Sequence, residues 1–545
     1  MTRAGVLVAL RLGLAALVLH LLLIQPNHPD ALTWRALKFF ALEWPVVLLA
    51  LIAAGGRAAL GLRVVVSVAI TVLCVLKAAD FAMFTALARG FNPVADLALV
   101  EAGLRLMSGA IGPILTALAA VGAVLAVVAV AASTWWATGV WAAVSLPSAA
   151  RAVTGAGAVL CAGLAVAQIG HAMGTWRLPA TPPGAAFTAR VGVERALLVR
   201  DTLRELTTFR HAAARDRHAG NTRLFDRIDR DVLVVFVESY GRTSLNTRFY
   251  AETHRDTLRR NAGRLADKGL STASGLLAAP TQGGQSWLSH ASFANGLWVS
   301  DQVRYGAVLA SGRETLYHLA ARSGFHTAAV MPQITLAWPE AQVMGFDTIL
   351  AARDLGYAGA PFNWVTMPDQ FTLAAMDRML RQDAGDAPIF AQIALGSSHA
   401  PWVPVPTLVD WDEIGDGRIF NAMAASGDTP KEVWRDRDRV RAQYRKAIDY
   451  ALRTVFDYAA RQAGDPPLMI VLGDHQAAEF VALDDRAEVP VHVIGPAHLV
   501  SPFLARGWRA GLIPDPEHPV LGMDRMRDLL IETYSSGAAA PGAGG

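Results

Sequence analysis

The chain is short of cysteine and of charge. Only two of its 545 residues are cysteine, Cys74 and Cys161, and both fall in apolar runs. The polar part of the chain therefore has no disulfide, no cysteine nucleophile and no thiolate zinc site. Charged residues make up 17%, against about 25% in soluble globular proteins. The net charge of +3 comes without a long lysine or arginine run, so the concentrated basic patch that tracks a phosphate backbone is absent and nucleic acid is excluded as a partner. Apolar residues are abundant instead, at 53%, with the excess before residue 175. The composition is that of a membrane protein with a polar C-terminal part.

Five apolar stretches read as bilayer spans, each needing about 20 residues at 1.5 Å rise. They lie near Val6–Ile24, Phe39–Ala54, Val64–Thr85, Ile111–Ala132 and Ala152–Ile169, the second being the shortest and containing Pro45. Arg3, Arg57, Arg63 and Arg151 fall in loops free of acidic residues, whereas the alternate loops and their edges mix Asp30, Arg35, Lys38 and Glu43, then Arg89, Asp96, Glu101 and Arg105. This asymmetry puts the N-terminus in the cytoplasm and, with five spans, everything after about residue 172 outside. Lys77 and Asp80, three apart in the third span, share a helix face and are expected to neutralise one another, the alternative being a polar passage for a lipid head group.

The expected organisation is a transmembrane domain at 1–175, a juxtamembrane helical linker at 176–230, an extracytoplasmic domain at 231–533 and a disordered low-complexity tail at 534–545. The linker is rich in arginine, alanine and leucine at helical spacing. From Asp231 short β-branched runs (VLVVFV, HTAAVM, IFAQIAL, LMIVLG, VPVHVIG) alternate with helical patterns. That texture predicts an α/β domain with a mostly parallel central sheet covered on both faces. In such sheets chemistry collects at the carboxyl ends of strands.

Reading off those ends gives Glu238, His399 in LGSSH, and the adjacent Asp474 and His475. Carboxylate oxygens with imidazole nitrogen suit zinc, manganese or magnesium. Ser286, after the glycines of PTQGGQS and at the start of a predicted helix, is either an N-cap or a nucleophile held at the positive end of that helix. No GxSxG elbow or Ser-His-Asp order supplies a base, which leaves a metal to activate the hydroxyl. His290, four residues on, reads as a helix-face histidine. Trp287, Trp298, Trp338, Trp364 and Trp402 read chiefly as packing or surface residues, with a cleft lining as the alternative.

In order, VFVESYGRTS, TQGGQS, SSHAPW and VLGDHQ behind the predicted spans resemble the alkaline phosphatase superfamily, and within it the membrane-bound sulfatase-domain proteins typified by lipoteichoic acid synthases, phosphoglycerol transferases and phosphoethanolamine transferases. The resemblance implies that Glu238, Asp474, His475 and Ser286 hold one divalent metal, with room for a second ion. It implies that Ser286 stands where the family has a nucleophilic threonine, that His399 contacts the substrate phosphate, and that His492 and Trp338 are weaker substrate contacts. Trp338-Pro339-Glu340 replaces a Trp-x-Arg segment that helps bind phosphoglycerol. No Cys-x-Pro-x-Arg or Ser-x-Pro-x-Arg occurs in the polar part, which argues against a formylglycine sulfatase.

The function expected from these residues is transfer of a phospho-group to a membrane lipid or envelope glycan through a phospho-serine intermediate. The alternatives are a metal-dependent phosphatase or sulfuric ester hydrolase on a soluble ester, and an inactive envelope-binding protein. Abundant alanine and arginine point to a bacterial inner membrane, with the catalytic domain on the periplasmic side.

Overall fold

A computed structural model of the chain describes residues 3–34, 36–87, 89–180, 182–382 and 387–537. Most of the low-complexity tail lies outside the described residues. Ser535, Ser536 and Gly537 are held by hydrogen bonds to Phe225, Asp226 and Arg223, so the ordered chain runs past residue 534. The chain divides into two compact units, Met1–Glu205 and Leu206–Gly545, and the division falls within one helix.

The first unit contains helices α1 (Arg3–Ile24), α2 (Glu43–Ala54), α3 (Gly56–Leu87), α4 (Leu97–Ile111), α5 (Pro113–Ala142), α6 (Ser148–Ala172) and most of α7 (Phe187–Ala213). Among the described residues four helices are long and apolar enough to cross a membrane: Gly5–Ile24, Gly56–Ala86, Pro113–Ala142 and Ser148–Ala172. This corrects the expectation of five. The second stretch forms only the 12-residue α2, about 18 Å long against a hydrocarbon core of about 30 Å. Its apolar run is cut short because Phe39 and Phe40 stay outside the helix while Gly55, at φ 62°, ends it.

Although short, α2 runs antiparallel to α6. Arg151 near the start of α6 donates to the carbonyls of Ala53 and Ala54 at 3.1 Å, while Glu43 at the other end of α2 accepts from the amide of Ala189 beyond α6. Gly155 and Gly157 meet Ala53 and Leu49, the small-residue contact that lets helices approach in a bilayer.

Lys77 and Asp80 are both fully buried, but they do not pair with each other. Lys77 Nζ donates to the carbonyl of Leu22 and to Thr188 Oγ1, both at 3.0 Å. Asp80 accepts from Arg195 at 2.6 Å, from the amide of Phe91 at 2.8 Å and from Asn27 at 3.1 Å. The i,i+3 spacing was a guide to a shared face only. The free carbonyls at the end of α1 and the guanidinium from α7 offered better partners.

The second unit is an α/β domain. Its strands are β1 (Val232–Val237), β2 (Ser271–Ala278), β3 (His326–Met331), β4 (Thr348–Ala351), β5 (Ile389–Leu395), β6 (Leu468–Gly473), β7 (Glu488–Gly495), β8 (Arg509–Ala510) and β9 (Leu521–Gly522). They form one sheet in the order β4-β3-β5-β1-β6-β7-β2-β8, with β9 beside β2. The five strands from β4 to β6 are parallel, and β7 is antiparallel to both neighbours.

All of β1 is buried, and its side chains alternate between two cores. Leu233, Val235 and Val237 pack on one face with α8 (Arg248–Asp267) and the long helix Arg437–Arg461, and Val232, Val234 and Phe236 on the other with residues 316–320 and 526–534. A period-two strand that is apolar on both sides has to be covered twice. That double cover is what brings β1, β5 and β6 to the centre, where their carboxyl ends lie side by side.

Candidate active site

The register explains the convergence. Val237 pairs with Leu395 on one side and Gly473 on the other, so the next residues along the three strands, Glu238, Gly396 and Asp474, emerge at one level. A Cβ on Gly473 would meet the carbonyl of Tyr240 at 1.9 Å, so only glycine allows β6 this close to the turn after β1. Ser239, in that turn, has φ 58°, a sparsely populated conformation for a serine. It is held there by its amide on Asp474 Oδ1 at 2.8 Å, its hydroxyl on Glu238 Oε1 at 2.9 Å and its carbonyl on Tyr444 at 2.8 Å.

The PTQGGQS loop follows β2 and is tied to the neighbouring strand end. Gly283 donates its amide to the carbonyl of Gln476 at 2.8 Å, and Gln282 forms a bridge with Gln476. Gly283, Gly284 and Gln285 all have positive φ, and the last of them, at 65°, precedes helix α9 (Ser286–Asn295). Gln285 occupies the cap position without a side-chain bond, so Ser286 is the first helical residue and not the N-cap. Its Oγ donates to Glu238 Oε2 at 3.0 Å.

Glu238, Asp474 and His475 each offer one ligand atom within a 4.8 Å cluster. Asp474 Oδ1 accepts from the amides of Ser239 and His475, which fixes the carboxylate. His475 Nδ1 lies 3.0 Å from the carbonyl of Gln476, which accepts only, so Nδ1 carries a hydrogen and Nε2 is the nitrogen turned to the carboxylates, where a cation would replace its proton. That Nε2 is buried without a hydrogen-bond partner, 3.1 Å from Glu238 Oε1. One buried and one partly buried carboxylate, with a buried imidazole nitrogen turned to them, fit a divalent cation.

The electrostatics agree. Burial, then the charge of Glu238, pushes Asp474 up to about 8. Burial opposes charge on His475, yet Asp474 and Glu238 hold it up to about 9. Burial likewise opposes charge on Glu238, and His475 keeps it well below the usual carboxylate value. Protons thus take up the positive charge these carboxylates require, a place a cation fills more completely.

His399 follows β5 on a loop built from two sides. Ser398 donates its hydroxyl to the carbonyl of Glu238 at 2.6 Å, and buried Asp369, at the start of helix α10 (Asp369–Met376), accepts the amides of Gly396 and Ser397 at 2.8 Å. Asp369 is pushed up to about 6 by burial. Nothing in its local sequence distinguishes it from a helix-start aspartate. Its role depends on a loop 27 residues away.

The remaining candidates are not brought into contact with the cluster. His492 lies mid-strand in β7, opposite Val471, because β7 runs against the parallel strands. Its nitrogens face Tyr240 at 3.2 Å and Ser274 at 2.7 Å, and burial lowers it to about 3. It is a neutral core histidine with both nitrogens engaged. Trp338 packs on Phe346, ring centroids 6.4 Å apart, against the core beside residues 339–344. His290 packs on Phe236, ring centroids 4.1 Å apart and tilted by 46°, and is lowered to about 4 by burial, with no bond to Ser286.

Residues 230–483 match the protein family described as Sulfatase. The chain is also similar to several solved structures. The integral membrane lipooligosaccharide phosphoethanolamine transferase A of Neisseria meningitidis is 14% identical, with 96% of this chain and 95% of that one covered and a TM-score of 0.47. The lipoteichoic acid synthase of Listeria monocytogenes is 12% identical, covering 62% and 79%, with a TM-score of 0.37. The Streptococcus pyogenes phosphoglycerol transferase, solved with sn-glycerol-1-phosphate, is 14% identical, covering 62% and 82%, with a TM-score of 0.36. No curated protein matches the sequence.

Proposed function

We propose that this Sulfatase domain, an enzyme domain of the alkaline phosphatase superfamily, works as a membrane-tethered, metal-dependent phospho-group transferase with Ser286 as nucleophile. One observation carries the reading: Ser286 Oγ lies 3.0 Å from Glu238, the partly exposed member of a two-carboxylate, one-imidazole cluster. Glu238, Asp474 and His475 would hold the divalent ion, with Ser286 as a fourth ligand. When bound, the ion supplies positive charge that favours the alkoxide form of the serine and offsets charge on the phosphoryl oxygens.

Glu238 Oε2 holds the hydroxyl hydrogen and so fixes the orientation of Ser286 Oγ. The first position of α9 adds the positive end of a ten-residue helix beneath the incoming anion. Ser286 Oγ gives up its hydrogen and forms a bond to phosphorus as the bond to the departing oxygen breaks, and that oxygen takes up a proton in exchange for the one the serine loses. His399 stands on the loop anchored to the Glu238 carbonyl, where it orients the phosphoryl oxygens or supplies the proton. An acceptor hydroxyl then attacks the phospho-serine and restores the hydroxyl.

Attachment to membrane helices favours a lipid-borne donor, with phosphoglycerol or phosphoethanolamine as the head group, and a lipid or envelope glycan as acceptor. We take the domain to be extracytoplasmic, on a bacterial inner membrane. The end of the bundle where α2 finishes and α6 begins carries Arg63 and Arg151, which bond to carbonyls and have no acid partner among the described residues, whereas Arg89 and Arg195 at the opposite end are paired with Asp96 and Asp80. The unpaired cations mark the cytoplasmic end, and α6 leaves from it. Intact-mass detection of a phospho-group on Ser286 after rapid quenching tests the chemistry, and loss of a specific lipid or glycan substituent in a deletion strain identifies the head group. Turnover with no trace of modified Ser286 would sink the nucleophile.

A further inference from the structure

Of the tryptophans flagged in the sequence, Trp402 is buried, and it supports a sixth that is not. Trp434 is 45% exposed and lies parallel to Trp402, centroids 5.8 Å apart at 6°. Its indole N–H donates to the carbonyl of Pro401 at 3.2 Å, two residues past His399. Its other aromatic neighbour, at 6.2 Å, is Phe480, five residues past His475. The ring therefore bridges the two loops that carry the reaction centre. Trp402 in turn donates to the carbonyl of Ser398, the residue whose hydroxyl holds Glu238.

Beside this pair stands Arg437, exposed, with its guanidinium 5.9 Å from the Phe480 ring. Among the described residues no acid pairs with it. Its neighbour Asp436 caps the helix, and Asp438 is bound to Arg441.

We propose that Trp434, Phe480 and Arg437 form a binding subsite for a saccharide ring that carries a negative charge. A tryptophan that anchors a protein in a membrane interface keeps its N–H toward water or head groups. Here the N–H is spent on Pro401, so the ring is fixed and offers only its apolar surface. The C–H face of a pyranose complements such a surface, and Arg437 supplies a fork for a phosphate or carboxylate substituent. This deepens the phospho-transfer reading and rests on it for the roles of His399 and His475. The ring belongs to the glycan end of the reaction, held next to the phosphorus.

Saturation-transfer NMR on the full-length, metal-loaded Ser286→Ala protein in nanodiscs tests this, with glucose 6-phosphate, glucose and phosphatidylglycerol vesicles as probes. Glucose 6-phosphate is expected to bind through its ring protons and more tightly than glucose. Trp434→Ala is expected to weaken it about tenfold, the loss due to one stacking aromatic, with Trp434→Phe retaining most of the affinity. Arg437→Gln is expected to erase the preference over glucose. Equal affinity in Trp434→Ala with an unchanged melting profile overturns the subsite. So does a Trp434→Ala protein that loses vesicle binding alone, which would make the patch a membrane contact. Should Trp434→Ala melt early, the exposed Arg437→Gln decides, and an undiminished preference for glucose 6-phosphate overturns the proposal. The titration needs no turnover, so turnover retained in Ser286→Ala would sink the transfer reading as a separate result.

Discussion

Both units of this chain bury charge, and they do so in opposite ways. In the membrane unit Lys77 and Asp80 are fully buried, and each has its own set of partners drawn from other helices. In the α/β unit Glu238, Asp474 and His475 are crowded together, with the imidazole Nε2 3.1 Å from a carboxylate oxygen. A buried charge surrounded by donors or acceptors is a structural joint. Charges gathered against one another, each with a ligand atom turned inward, are held at a cost that a bound cation would relieve.

The contrast can be broken most sharply at Ser286, the proposed nucleophile. Ser286→Ala is expected to lower turnover by about a thousandfold or more while metal content, read by elemental mass spectrometry, stays at the wild-type level. Retained activity would move the crowded cluster from chemistry to structure. Next in size, replacing Asp474 and His475 together by Asn and Gln should empty the metal site in the same assay; undiminished metal would show that the ion sits elsewhere.

In the membrane unit the expected effect is on stability alone. Asp80→Asn strands the guanidinium of Arg195 and should cost about 3 to 5 kcal/mol, read as a lower melting temperature in detergent with metal content unchanged. Loss of metal in that variant would erase the distinction between the two regions.

Asp369 refines the comparison from inside the α/β unit. Its folded value of about 6 lies above the ordinary 3.8, so its contribution to stability is complete below about pH 4 and is lost as pH rises through 6, by roughly 3 kcal/mol. Asp369→Asn keeps the acceptor for Gly396 and Ser397 but cannot ionise. Its melting temperature relative to wild type should therefore rise between pH 4 and 7, and a flat difference would mean that the carboxyl ionises as freely in the fold as out of it.

How much of this was legible in the sequence follows from the range of each interaction. Glu238, His399 and the Asp474-His475 pair could be read because an apolar run that stops at a polar residue is a local signal, and a parallel sheet aligns such stops. His492 was expected from the resemblance alone, and the direction of β7, which is set by long-range pairing with β6 and β2, is recorded by no residue within VPVHVIG. The 12 residues of α2 have the hydropathy of a span and lack its length, because helix ends depend on neighbours as well as composition. Asp369 and Trp434 act through loops distant in the chain, and spacing carries no trace of either.

One amide has a kinetic corollary. The bond from Gly283 to the Gln476 carbonyl, which also receives His475 Nδ1, welds the serine loop to the ligand loop. A phospho-serine formed there cannot be swung to a second chamber. If the proposed phospho-serine forms, the alcohol released in the first half-reaction would have to leave before the alcohol consumed in the second could attack at the same place, a ping-pong order.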